Sequence, residues 1–148
     1  MFTHILVPTD GSKLSEKAIK TAATLAKTLS AKVTGVYVIP PYVPPVYGEA
    51  AIYVPEVTPK RYKEITAREA KTALTTVEAV AKTAGIDCKT VAVTADQAWE
   101  GIVRTAHSKG CDLIVMASHG RRGLSGLLLG SETTKVLTHS KTPVLVCR

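Results

Sequence analysis

Aromatic side chains are scarce in this sequence: one Trp, one Phe and five Tyr make up 5% of its 148 residues, so any core must be built from Ala, Val, Leu and Ile. Long apolar runs are missing as well. None approaches the roughly 18 residues that a membrane-spanning helix needs, and the amino terminus enters a strand-like pattern directly, without a basic and apolar leader. These absences argue against membrane insertion and make the cytoplasm the expected compartment. The three cysteines, Cys88, Cys111 and Cys147, are far apart and show neither C-x-x-C nor His/Cys ligand spacing. That excludes a disulfide scaffold and a thiolate metal centre, and leaves reduced, mostly buried thiols. Acidic residues are outnumbered 12 to 19 by Lys and Arg, giving a net charge of +7 and a preference for anionic partners. The lysines are dispersed along helical segments, for example Lys13, Lys17, Lys20 and Lys27, which reads as solvated faces. No nucleic-acid motif or aromatic-basic cluster accompanies them, so a nucleic-acid partner is not expected.

No repeat, low-complexity tract or linker divides the chain, so one domain over residues 1–148 is expected. A chain of this length buries roughly two-thirds of the surface that it exposes when unfolded.

Strands and helices alternate along it. Residues 2–8 carry Ile5, Leu6 and Val7, a short continuous apolar run suited to a strand buried on both faces. Pro8-Thr9-Asp10-Gly11-Ser12 supplies turn chemistry and a cap, and Ala18, Ala22, Leu25, Ala26 and Leu29 then repeat at helical spacing. Residues 32–39 form a second strand through Val33, Val36, Val38 and Ile39. Six of the eight prolines and three of the five tyrosines crowd into residues 40–59, which predicts an irregular excursion. Its tyrosines, Tyr42, Tyr47 and Tyr53, are candidates for a protein-partner surface, for a lid, or for pins that hold the segment to the body. Residues 60–84 read as a helix stopped by Gly85, and Val91 and Val93 mark a third strand. Asp96 is the expected cap of a shorter helix through Ala98, Ile102, Val103 and Ala106, which Gly110 ends. In that helix Trp99 is read as packing or interface surface. Residues 112–117 are a fourth strand, Ser131 to about His139 a last helix, and Val144–Cys147 a fifth strand beyond Pro143. Such alternation implies a parallel sheet with helices on both faces.

The stretch from Leu113 to Ser131 stands out. An apolar run ends in Ala117-Ser118-His119-Gly120, nine residues intervene, and Gly130-Ser131 opens a helix. Glycine permits close backbone approach, and a helix start offers unpaired N–H groups and partial positive charge, a combination that favours phosphate. Ser131 is expected to cap that helix and to turn its hydroxyl toward phosphate. A plain glycine-rich connection is the competing reading.

Gly-x-x-Gly, nine residues, then Gly-Ser is similar to the nucleotide motif of the universal stress protein family, with Ala117 in place of the first glycine. Ile5-Leu-Val-Pro-Thr-Asp10-Gly-Ser, Asp112-Leu-Ile-Val-Met and Thr142-Pro-Val-Leu-Val-Cys147 carry the resemblance across essentially the whole chain. It implies an open five-stranded parallel sheet of order 3-2-1-4-5, Rossmann-like and of the adenine nucleotide alpha-hydrolase type, and a homodimer. The final strand, Val144–Cys147, would be the sheet edge that such a dimer covers.

In that order the ends of the first and fourth strands meet at one crevice, where open α/β sheets hold ligands. Adenine is then expected against Val38, whose backbone contact comes from the resemblance, and against the strand end at Pro8-Thr9. Asp10 and Ala117 are expected near the ribose, with Met116 beside them. The phosphates are expected along Gly120, Gly130, Ser131 and Glu132, with the Ser131 and Thr133 hydroxyls nearby and Glu132 pointing outward. Arg121 and Arg122 are candidate phosphate donors. Asp10 has three readings: a ribose or base partner, an outer contact of Mg²⁺, or an Asx-turn residue. His119 is expected to make a polar or phosphate contact, and His4, His107 and His139 to be structural.

The leading expectation is an ATP-binding regulatory stress protein, with AMP or ADP as related ligands and Mg²⁺ as a companion. Binding rather than turnover would be its activity, because no catalytic pair stands at recognisable spacing: there is no Walker lysine, no G-x-S-x-G and no H-E-x-x-H. A slow ATP hydrolase and a dimeric interaction module without nucleotide are the alternatives.

Overall fold

The structure is a computed structural model and describes residues 1–44, 57–120 and 129–148. Tyr47, Tyr53, Arg121 and Arg122 lie outside the described residues. Five strands, β1 (His4–Pro8), β2 (Lys32–Ile39), β3 (Cys88–Thr94), β4 (Leu113–Ala117) and β5 (Val144–Cys147), form one sheet of order β3-β2-β1-β4-β5. Every pairing is parallel, as the alternation with helices requires.

The central strand is the most apolar for a direct reason. Helices cover both faces of β1, so Ile5, Leu6 and Val7 are fully buried. Successive side chains of a strand point to opposite faces. Ile5 and Val7 join one core with Ala18, Ile19, Ala22 and Ala26 of α1 (Lys13–Leu29) and Val77 of α2 (Pro59–Ala84). Leu6 joins a second with Ile102 and Ala106 of α3 (Ala98–Lys109) and Val136 of α4 (Ser131–His139). The edge strands β3 and β5 alternate between half-buried and exposed residues over most of their length.

Local chemistry fixes most boundaries. The Ser12 hydroxyl oxygen accepts from the Ser15 N–H at 3.2 Å and caps α1, and Thr58 caps α2 in the same way with Pro59 beside it. Gly85 and Gly110 end α2 and α3 in left-handed conformation, at φ of 70° and 66°. Two boundaries differ from the sequence reading. Residue 112 stands outside β4, because its carboxylate accepts from the Thr3 N–H, the Thr3 hydroxyl and the His4 N–H, clamping the entry to β1. The N-cap of α3 is Gln97 instead of Asp96, and no side chain of its own segment caps the helix.

Of residues 40–59, those described are 40–44 and 57–59; Pro59 opens α2 and the others have no helix or strand. Tyr42 acts there as a pin. Its hydroxyl donates to the Val57 carbonyl at 2.9 Å, and its ring lies 5.4 Å from that of Tyr62, which in turn donates to the Pro40 carbonyl. No helix among the described residues is long and apolar enough to cross a membrane.

Candidate functional site

The carboxyl ends of β1, β2 and β4 enclose a cavity of about 190 Å³. It lies at the switch point of the strand order, where the connections from β1 and β4 leave toward opposite faces. Its walls are apolar: Val36 and Val38 from β2, Met116 and Ala117 from β4, Ala98 and Ile102 from α3. The polar groups, Thr9, Asp10, Ser15, His119, Glu132 and Thr133, come from the strand ends and helix starts. Pro8 and Gly120 complete the lining from the expected set.

The loop after β1 is held by its own side chains. The Thr9 N–H continues the ladder to the Val36 carbonyl, and the Thr9 hydroxyl oxygen accepts from the Gly11 N–H and lies 3.1 Å from Ser15 Oγ. Asp10 Oδ1 accepts from the Ser12 N–H at 2.9 Å, so the Asx-turn reading of Asp10 is correct. The turn coexists with the ligand reading, because Asp10 also lines the cavity.

This carboxylate meets the loop after β4. A Cβ on Gly120 would lie 2.6 Å from Asp10 Oδ2, closer than nonbonded atoms approach. The two polar clusters of the sequence are therefore in contact. The Gly130 N–H donates to the Ser118 carbonyl at 2.7 Å, and a Cβ on Gly130 would come within 3.1 Å of both Cα and Cβ of His119. Gly120 and Gly130 thus stand at the closed root of the segment between them. His119 Nδ1 is 3.1 Å from Ser118 Oγ.

The start of α4 differs in detail from the sequence reading. Ser131 is the first helical residue, with Gly130 at the N-cap, so among the described residues no side chain caps this helix. Neither Gly130 nor Ser131 lines the cavity. Thr133 is buried, and its hydroxyl donates to the Ala117 carbonyl at 3.1 Å, which binds α4 to the end of β4 instead of offering that proton to a phosphate. Glu132 does not point outward. Its Oε2 accepts from the Trp99 N–H at 2.8 Å, and its Oε1 pairs with Lys135 at 3.2 Å. The cause is the uncapped start of α3, whose free N–H groups attract a carboxylate. Lys135 also donates to Gln97 Oε1, and Trp99 stacks on His139 with ring centroids 4.4 Å apart, so Trp99 is packing surface.

The described lining thus carries two carboxylates, Asp10 and Glu132, and neither Lys nor Arg. Arg121 lies outside the described residues. No group of three or more His, Cys, Asp and Glu suited to a metal occurs among the described residues. Sequence reasoning missed Ser15, Val36, Tyr37, Ala98 and Ile102. Val36 was recoverable as the strand neighbour of Val38 on the same face, and Ala98 and Ile102 as an i, i+4 pair, once α3 was known to cross the ends of the strands.

Comparison with known proteins agrees with this architecture. A profile of the universal stress protein family matches residues 1–148. Universal stress protein MJ0531 of Methanocaldococcus jannaschii is 35% identical over 148 residues, covering 100% of this chain and 83% of that protein. Universal stress protein YxiE of Bacillus subtilis is 34% identical over 149 residues, covering 100% of both. Among solved structures, universal stress protein UspA from Lactobacillus plantarum superposes with a TM-score of 0.77 at 27% identity, over 99% of this chain and 98% of that one. Two more distant structures share the fold. A universal stress protein in complex with cAMP gives a TM-score of 0.68 at 24% identity, over 98% and 95% of the two chains. The Archaeoglobus fulgidus protein in complex with dAMP gives 0.72 at 17% identity, over 100% and 98%. The chain belongs to the universal stress protein family.

Proposed function

We propose that this chain binds an adenine nucleotide, ATP among them, in the cavity at the ends of β1, β2 and β4, and acts in stress regulation through binding instead of turnover. The observation that carries the reading is the contact of Asp10 with Gly120 beside the uncapped start of α4. It brings a ribose-type hydrogen-bond acceptor, a glycine-lined approach and free helix N–H groups to one apolar cavity. The cAMP and dAMP complexes of two proteins with this fold agree with the adenine part of the assignment.

Each end of the nucleotide has a counterpart. Val36 and Val38 offer an apolar wall to the base, and Asp10 and Ala117 stand where a ribose would reach them. The N–H groups of the first turn of α4, around Ser131, Glu132 and Thr133, suit phosphate. With two carboxylates in the described lining, a triphosphate needs its charge offset, so Mg²⁺ is expected to accompany ATP, held through the phosphates and, at one remove, by Asp10. Arg121 would add to that charge. No pair of lining residues forms a nucleophile and base, which favours binding over hydrolysis.

β5 is the sheet edge beyond β4, and Leu145 on it is 39% exposed. Pairing of two copies through Val144–Cys147 would cover both, which supports the homodimer. The three free cysteines fit a cytoplasmic setting. A further protein partner at residues 40–59 would meet a segment whose described ends Tyr42 joins.

Calorimetric titration with Mg-ATP, AMP and cAMP tests the assignment, using protein shown free of carried-over nucleotide and variants Gly120→Val and Gly130→Val checked for folding by circular dichroism. Micromolar binding that both variants lose is the expected result. No binding by the wild-type protein would overturn it and leave the dimeric interaction module as the better reading.

A further inference from the structure

A second cavity, of about 330 Å³, opens at the amino-terminal ends of the strands, away from the nucleotide cleft. Gly101 seats α3 against Val38 near the carboxyl end of β2, and the second cavity lies where α3 runs out, over the amino-terminal parts of β2 and β3. Three lysines line it from three different elements: Lys32 of β2, Lys89 of β3 and Lys109 at the end of α3.

The strand register explains the convergence. His4 pairs with Lys32 and Thr34 with Lys89. Residues two apart on a strand share a face, so Lys32 and Thr34 point the same way and Lys89 lies beside them. His4 Nε2 and Thr34 Oγ1 are 2.8 Å apart, and both residues are buried, which makes a fixed polar floor. Against the three lysines, Asp87 is the lone carboxylate of the lining. No ion pair of Lys32, Lys89 or Lys109 is found among the described residues. Lys32 and Lys109 both act on the Cys111 thiol, as does the Asp112 carboxylate that Thr3 and His4 hold. Three like charges facing a single lining carboxylate repel, and an anion between them relieves that repulsion. A recess of this volume, instead of a basic stripe, suits a small molecule, and a lysine ammonium suits phosphate as a point charge.

We propose that this cavity is a second anion site, for a compact phosphate-bearing compound of two or more charges held by Lys32, Lys89 and Lys109. The site is independent of the nucleotide assignment.

Pyrophosphate is the probe, titrated into ¹⁵N-labelled protein at constant ionic strength and followed by ¹H–¹⁵N correlation spectra. Saturable shifts are expected at Lys32, Thr34, Lys89 and Lys109. Lys89→Ala and Lys109→Ala should each weaken binding about tenfold, the loss expected for one hydrogen bond to a charged group. A Lys60→Ala/Lys63→Ala control on α2, which removes two charges elsewhere, should leave the affinity unchanged. Three outcomes would each overturn the proposal: no saturation, shifts confined to Gly120 and Gly130, or equal weakening in the control.

Discussion

Gly101 sits in the interior of α3 and is buried, and its substitution by Ala sets two opposing effects against each other. Alanine stabilises a helix interior by about 1 kcal/mol relative to glycine. The new Cβ, however, would lie 2.8 Å from both Cγ1 and Cγ2 of Val38 and 3.4 Å from Cβ of Ala95. Carbon atoms pack best at about 3.5–4.0 Å, so two contacts are short by roughly 0.7 Å or more. Val38 cannot turn both methyl groups away, because a β-branched side chain has few open rotamers. Overpacking of this kind costs about 1–3 kcal/mol. The clash therefore wins, and Gly101→Ala should destabilise the protein by about 1 kcal/mol, lowering Tm by about 2–4 °C.

The Val38→Ala background isolates the cause, since it removes the two clashing carbons and nothing else. Alone it should cost about 1–2 kcal/mol in lost burial. Added to it, Gly101→Ala should become neutral or stabilising, a coupling of about 1–2 kcal/mol between the sites. Urea denaturation followed by circular dichroism reads all four proteins. A Gly101→Ala protein more stable than wild type, or the same cost in both backgrounds, would refute the reasoning.

Glu132→Ala removes the carboxylate that accepts from the Trp99 N–H and should cost about 1 kcal/mol with a change in Trp99 emission, whereas Lys135→Ala, which breaks a half-exposed ion pair, should cost less. Burial, and then the charge of Lys32, hold His4 below its ordinary pKa of 6.5, so its protonation favours the unfolded chain. Stability should be full above pH 6.5 and fall as pH drops through the folded-state value, and His4→Gln should flatten that loss in urea midpoints compared at pH 7.5 and 5. Burial pushes the Asp112 carboxyl up, but hydrogen bonds from His4 and Thr3 outweigh it and hold the group below 3.8, so its contribution is lost only in stronger acid. Burial drives the Cys111 thiol up to about 11, so alkylation at pH 8 should leave Cys111 unmodified in the native protein and modify it in urea.

Sequence reached those features that neighbours along the chain determine. Ser12 caps α1 and Gly85 and Gly110 end α2 and α3 because each motif is completed within a few residues. The buried run Ile5-Leu6-Val7 marked the central strand because a strand covered on both faces has no polar side to show. Most of the expected site residues meet at one cavity for a related reason: strand order places Asp10 and Gly120 side by side. The failures are contacts between elements. Glu132 seemed free to face solvent because the N–H that holds it belongs to Trp99, 33 residues away. The Thr133 hydroxyl looked free for phosphate because its acceptor, the Ala117 carbonyl, lies across the loop. Ala98 and Ile102 gave no sign of a binding wall, since i, i+4 spacing on a helix does not say which partner it faces.

The glycines of the loop need a second explanation beside phosphate approach. Both also face close neighbours in the protein itself, Gly120 the Asp10 carboxylate and Gly130 His119. Loss of binding in a glycine variant therefore has two possible causes, and Asp10 separates them. If close approach of phosphate is the reason for Gly120, Gly120→Ala weakens Mg-ATP binding by a similar factor with Asp10 intact and with Asp10→Gly. If Asp10 is the reason, the methyl group acts by displacing a carboxylate that also holds the Ser12 N–H, and the second background has no carboxylate to displace. The contact of 2.6 Å with a side-chain oxygen favours this second outcome, in which Gly120→Ala adds no loss to Asp10→Gly. Calorimetry on the four proteins distinguishes the two, and equal losses in both backgrounds would show that the glycine serves the ligand directly.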